Sequence, residues 1–454
     1  MKKLATVVAA TAVTLMAAAA AVPATVAGAV GPPSVAWVSH AAILSPAGGK
    51  SCAHPGYNSI QSAIDNTTSG ATIHVCAGAP YVEQLQITQP VTIVGAGEAT
   101  TTIALPASPV NSTTACDAAI TAAYAAPQDE ISICGVGAVS ISGLTVDAQW
   151  ASGTNIGNLF GILVGGASDL TATKVAVDGG GAFPANGDQS GSFLGQSSIQ
   201  VGMFGLSGSY GVGTATLNKD SVTNYQKDGI TVDGAGSSAV IEHTSVTSTP
   251  TAAVAQNGIQ IGDGALGVIT SSTVSGNECN EPVGCGANAY QAAGLLFYNA
   301  APGTRVTGST ISDNDYGLGY VSGAASEAAS ATTTISGDHF TGNRYEGVWL
   351  DQGMATLSGD SIAANPLTDP VAVGIMVYQY GGQSYASQAT ASHMNISGES
   401  VAVDVNTDGG TPGSAPGDDL PGTFTITHSS EVGNTLPTGD TSPNFLIVAL
   451  HDIY

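Results

Sequence analysis

Gly347-Val348-Trp349-Leu350-Asp351 is one copy of a phrase that returns along the chain: a glycine, an apolar residue, any residue, another apolar residue. Gly229-Ile230-Thr231-Val232, Gly258-Ile259-Gln260-Ile261, Gly294-Leu295-Leu296-Phe297, Gly317-Leu318-Gly319-Tyr320 and Gly374-Ile375-Met376-Val377 are further copies. A second phrase precedes most of them, as in Ser272-Thr273-Val274-Ser275-Gly276-Asn277, Ser309-Thr310-Ile311-Ser312-Asp313-Asn314 and Asp338-His339-Phe340-Thr341-Gly342-Asn343. Self-similarity at a period of roughly 23–36 residues marks a stacked repeat. The strands are four or five residues long and recur in one direction, at intervals too long for tight hairpins. Coiling in parallel satisfies them, each strand pairing with its copy one turn on.

The predicted architecture is therefore all-β, a parallel β-helix of about a dozen turns and near ~55 Å long at the ~4.8 Å strand spacing. The leucine pattern of horseshoe repeats and the Trp-Asp signature of propellers are both missing. Ahead of the coil, Ile60, Ala63 and Ile64 fall on one face of a short helix that Asn58 or Ser59 can cap. Such a helix covers the open first edge of a stack of strands.

Residues 1–29 read as a secretion signal: Lys2 and Lys3, then an apolar run from Leu4 to Val22, then Ala27-Gly28-Ala29. The reading divides the rest into a flexible lead over 30–50, the β-helix over 51–408, a Gly/Pro/Asp linker over 409–422 and a C-terminal cap over 423–454. Interruptions at Ala182–Ser197, Asn280–Gln291, Gly323–Ala331 and Gly381–Gln388 read as loops thrown out from the coil. No stretch after the signal is long and apolar enough to span a membrane.

Past the signal, Lys50, Lys174, Lys219, Lys227, Arg305 and Arg344 face 33 Asp and Glu, and the whole chain carries a formal charge of −25. That surface repels nucleic acid and anionic lipid, and repels acidic glycans unless a cation bridges them. With few bases, and carboxylates that neutralise in acid, the composition also suits an acidic habitat. Six cysteines in an exported chain imply disulfides, with 15 formal connectivities. Sequence order favours Cys52 with Cys76, Cys116 with Cys134, and Cys279 with Cys285. No zinc-knuckle spacing occurs, and the histidines are never paired, so no metal is assigned.

The run Ile60-Gln61-x-Ala63-Ile64-Asp65, then Ile73-His74-Val75, Tyr81-Val82-Glu83 and Val91-Thr92-Ile93-Val94-Gly95-Ala96-Gly97 is similar to the opening of pectin methylesterases. With the repeats, the chain resembles the right-handed parallel β-helix superfamily, the pectin-lyase-like fold. The methylesterase chemistry does not carry over. The Gly-x-x-Asp-Phe-Ile-Phe-Gly and Leu-Gly-Arg-Pro-Trp segments of methylesterases are absent; Asn-Thr-Asp, the run found in polygalacturonases, occurs once, as Asn406-Thr407-Asp408 at the edge of the linker. Gly417-Asp418-Asp419 lies in the linker and reads as a solvated turn.

Alternation places Val348 and Leu350 inside, and Trp349 and Asp351 outside. Stacking the turns puts Tyr298, Trp349, Asp351 and Tyr378 on one outward wall, with a dip at Gly319 and with Arg344 and Glu346 beside it. Aromatic faces next to carboxylates suit a sugar surface; a covering loop is the competing reading. Asp233 shares the file with Asp351 but lies four turns off, about 19 Å, too far for an acid–base pair. The turn asparagines read as structural. The functional expectation is a secreted, monomeric protein, without an identifiable catalytic signature, that binds extracellular polysaccharide or the cell surface. The alternative is a lyase, hydrolase or esterase acting on polysaccharide near Arg344–Gln352. No cofactor is expected, except Ca2+ in the lyase case.

Overall fold

The computed structural model describes residues 31–40, 48–123, 126–150, 159–182, 197–203, 205–206, 208–248, 255–279, 292–321, 332–351, 353–363, 372–378, 387–399, 401–406, 423–432 and 445–447. The signal segment, the four predicted loops for the most part, the linker and Cys285 lie outside the described residues.

The repeat phrase forms the strands of a 12-stranded sheet. It runs turn by turn from Leu85–Ile87 through Asp228–Asp233, Asn257–Gly262, Ala293–Tyr298, Tyr316–Val321, Glu346–Asp351 and Val373–Tyr378 to Val401–Asn406. Neighbours are parallel and in register, so Leu295 pairs with Leu318, Leu318 with Val348 and Val348 with Ile375. A 23-stranded sheet completes each turn with two shorter strands, such as Thr332–Ser336 and His339–Thr341.

Inward residues stack in files. Ile261, Phe297, Tyr320, Leu350 and Val377 follow one another on successive turns, all at 1% exposure or less. Each such side chain contributes on the order of 2 kcal/mol of burial, which is what holds a coil with no second layer.

The two phrases meet at one corner. Asn314 Nδ2 donates to Asn343 Oδ1 at 3.0 Å, and Asn277 Nδ2 donates to Asn314 Oδ1 at 2.8 Å. The Tyr225 hydroxyl donates to Asn277 Oδ1 at 2.6 Å and closes the ladder. The ladder needs space, and the glycine that opens the next strand provides it. A Cβ on Gly294 would stand 2.7 Å from Asn314 Nδ2 and 2.9 Å from the Gly317 carbonyl oxygen.

Backbone pairing extends beyond the repeats at both ends. At the start, Trp37 N–H donates to the Gly48 carbonyl, and its carbonyl accepts from Gly56 and Tyr57, so the first edge strand is not bare. The helix Ile60–Asn66 forms where the apolar spacing placed it, capped by Ser59. Glu83 from the next turn adds a second cap, accepting from the Ile60 and Gln61 N–H groups at 2.7 and 3.0 Å. At the other end, Phe445–Ile447 pairs antiparallel with Val401–Asn406. Thr423–Thr427 pairs in parallel with Gln388–Ser392, so the coil continues past residue 408.

Cys52–Cys76 and Cys116–Cys134 are bonded. Cys279 is also in a disulfide. A second helix, Ala115–Ala123, carries Cys116 and was not foreseen from the sequence. Among the described residues no helix is long and apolar enough to cross a membrane.

Candidate functional site

The outward face of the 12-stranded sheet changes character along the coil. Its central file reads Gln200, Thr231, Gln260, Leu296, Gly319, Trp349, Met376 in register order. The polar half is tied together by its own hydrogen bonds. Ser197 and Thr231 hydroxyls lie 2.9 Å apart, and Asn257 Nδ2 donates to Asp228 Oδ1 at 2.9 Å and to Gln260 Oε1 at 3.2 Å. Lys227 donates to the Ala255 carbonyl beside this network. Burial pushes the Lys227 amine down and the Asp228 carboxyl up, each opposed by the other's charge.

The other half is aromatic. Tyr298 is 41% exposed, an open ring on the outer face. Two turns on, Trp349 stacks against Tyr316 with ring centroids 5.3 Å apart and planes at 25°. Tyr316 sits on the turn before Trp349, so the indole leans back across Gly319. A Cβ on Gly319 would meet Trp349 Cε3 at 3.5 Å and Leu296 Cδ1 at 3.6 Å. The expected dip is therefore filled from both sides, and Trp349 is half-buried. Burial, then the charges of Glu346 and Asp315, keep the Tyr316 hydroxyl protonated, a neutral donor at any working pH.

Two sequence expectations change at this point. Asp351 faces outward in register but is only 7% exposed. Asp233, in the same file, is buried as well: its carboxylate lies along the file, Oδ1 3.0 Å from where a Cβ on Gly262 would stand.

Arg344, placed beside the outward wall as a candidate binding residue, holds a buried carboxylate. Its Nη1 lies 3.3 Å from Asp315 Oδ1, and Asp315 is 1% exposed. Asp315 Oδ2 also accepts from the Cys279 and Ala292 N–H groups at 3.0 and 2.9 Å. This is a clamp that fixes the chain before the Tyr316 strand. Glu346 is half-buried on the file of Tyr316, one turn on. Tyr378 follows Asp351 in register, and its side chain lies outside the described residues. The structure thus brings Tyr298, Tyr316, Glu346 and Trp349 together on one face. Tyr316 was missed because the phrase starts at its glycine, one residue later.

Among the described residues no group of three or more His, Cys, Asp or Glu comes together as a metal site.

Residues 160–362 match the family model described as the right handed beta helix region. The chain is similar to the catalytic domain of a GH87 α-1,3-glucanase solved with tetrasaccharides, with a TM-score of 0.52 and 16% identity over 85% of this chain and 65% of that one. It is also similar to the A-module of mannuronan C-5 epimerase from Azotobacter vinelandii, at a TM-score of 0.48 and 15% identity over 83% and 90% of the two chains. Pectate lyase Pel9A follows at 0.39 and 12%, over 89% and 77%. No curated protein matches at a significant level. The chain is a right-handed parallel β-helix, the fold that the sequence resemblance implied; at such low identities the likeness extends to the fold and not to the activity.

Proposed function

We propose that this protein binds extracellular polysaccharide on the outward face of its 12-stranded sheet. The observation that carries the reading is the exposed Tyr298 ring, two turns from the stacked Trp349–Tyr316 pair and on the same face. Two turns span about 10 Å, the reach of two sugar units. Aromatic faces take the apolar CH patches of a sugar ring, while the Tyr316 hydroxyl and Glu346 offer polar partners for its hydroxyls. The paired disulfides suit an exported protein, and the solved glucanase of this fold holds tetrasaccharides.

Contacts of this kind contribute on the order of 1 kcal/mol each, so affinity rests on several together. Trp349→Ala is expected to weaken retention on polysaccharide gels by roughly 5–10-fold. Because the indole packs on Tyr316 and Gly319, the same variant also loses about 1–2 kcal/mol of stability, measured by denaturant unfolding.

A second reading, a carbohydrate-active enzyme, is favoured by the Lys227–Asp228 pair on the polar half of the same face. Incubation with a panel of neutral and acidic polysaccharides, with and without calcium, separates the two. Retention without product supports the binding reading. Sustained product release that Lys227→Met abolishes, with folding intact, overturns it.

A further inference from the structure

We propose that this coil is built to operate in acid, holding a set of interior carboxyl groups as neutral acids, and that it loosens as the medium turns neutral to alkaline. Eleven Asp and Glu side chains are buried among the described residues, in a chain with eight Lys and Arg. Burying a carboxylate is costly unless a base or several donors face it. Asp315 has Arg344, and Asp228 has Lys227; no Lys or Arg among the described residues is set against the groups that matter here.

Glu130 is the clearest. It precedes the strand Ile131–Cys134, in register with Gly161 of the next turn. A Cβ on Gly161 would meet Val177 Cγ1 at 2.7 Å, so this position faces the interior. Glu130 is 0% exposed, and among the described residues neither of its carboxyl oxygens has a hydrogen-bond partner. The charged groups acting on it are Asp147, from the strand Ala138–Trp150 of the 23-stranded sheet, and Glu83, from the turn before, both of its own sign. Burial first, then those charges, push the carboxyl up to about 9. Adjacent Asp129 is 1% exposed and faces the buried Asp117 of the second helix; burial and that neighbour raise it well above the carboxylate range.

A second set lies in the 23-stranded sheet, at the bend between its paired strands. Ser309 N–H donates to Asp338 Oδ1 at 2.7 Å, and Asp338 N–H donates to Asp360 Oδ1 at 2.8 Å, one turn on. Ser336 and Ser358 N–H groups serve the second oxygens, both at 3.0 Å. The charged groups facing this pair are each other and His339. Burial outweighs the donors and lifts Asp338 to about 7 and Asp360 to about 6.

A carboxyl raised on folding binds its proton more tightly in the folded chain. The stability it gives is full below the unfolded value near pH 4 and is lost as pH rises through the folded value. The window runs from about pH 4 to about pH 7 for the aspartates and on to about pH 9 for Glu130. The surface charge of an acidic chain also disfavours folding at high pH, but salt screens that repulsion and leaves buried groups largely untouched.

The test is thermal unfolding of the full chain from about pH 3 to about pH 9, in low salt and in about 0.5 M NaCl. The expected result is a Tm that falls by about 10 °C or more between about pH 4 and about pH 8 in both salts. Glu130→Gln should be markedly less sensitive between about pH 6 and about pH 9, gaining on the wild type as pH rises. A Tm that is flat or rises with pH overturns the proposal, as does a fall that disappears in high salt or one that Glu130→Gln leaves unchanged. Should that variant fail to fold, infrared spectra of the native protein decide. A protonated-carboxyl band that persists near pH 6 and vanishes on unfolding supports the proposal; its absence from the folded protein sinks it.

Discussion

Gly317→Ala should cost about 4 kcal/mol or prevent folding outright, while Gly319→Ala, two residues on, should change stability by less than about 1 kcal/mol. The added methyl at 317 would stand 2.4 Å from the Gly347 carbonyl oxygen, 2.7 Å from Phe340 Cδ1 and 2.8 Å from Asn343 Nδ2. Backbone on the next turn cannot retreat without breaking the register of both sheets. At 319 the nearest atoms are the edges of Trp349 and Leu296, at 3.5 and 3.6 Å, an ordinary contact. Both glycines belong to the same strand and both are buried, so burial alone does not separate them. Denaturant unfolding of the two variants does. Equal losses would mean that the corner is not the tight point of the repeat.

The second large effect is expected at Asn314. Its Oδ1 accepts from Asn277 N–H at 3.1 Å and from Asn277 Nδ2 at 2.8 Å, and its Nδ2 donates to Asn343 Oδ1 at 3.0 Å. Its own N–H donates to Asn343 Oδ1 at 3.2 Å. Asn314→Ala removes the middle rung and leaves a buried N–H and a buried amide on Asn277 without their acceptor. A stranded buried polar group costs about 1–3 kcal/mol, and two together with the lost packing put the variant at about 3–5 kcal/mol. Hydrogen exchange should show the loss at Asn277 as well as at the mutated turn. A loss confined to residue 314 would mean that the rungs act singly.

These two residue types are where the sequence was most legible. The glycine phrase and the asparagine phrase repeat because each turn reuses one corner, and a repeat writes its geometry as many times as there are turns. The capping helix was readable for a local reason: Ser59 and the spacing of Ile60, Ala63 and Ile64 suffice. The site was harder. Alternation correctly sent Trp349 and Asp351 outward, but it does not say how far a side chain then bends. Trp349 leans onto Tyr316, and Asp351 is buried where an open carboxylate was expected. The clamp of Arg344 on Asp315 depends on N–H groups of Cys279 and Ala292, from the preceding turn, and no local pattern announces it. Buried Glu130 is equally silent in sequence, because it stands where the following turns place Gly161, Ser198 and Gly229, and only the register aligns them.

The claim that the outer face binds glycan rests most directly on Tyr298. Its ring is exposed and its neighbours in register are Gly262 and Val321, so Tyr298→Ala removes an aromatic surface without opening the core. Native gel electrophoresis through a series of embedded polysaccharides, comparing the wild type with Tyr298→Ala, measures the consequence. The account predicts that at least one polysaccharide retards the wild type, that the variant loses about 5-fold or more of that retardation, and that its Tm stays within about 1 °C. Wild type and variant migrating alike in every gel that retards the protein would contradict it.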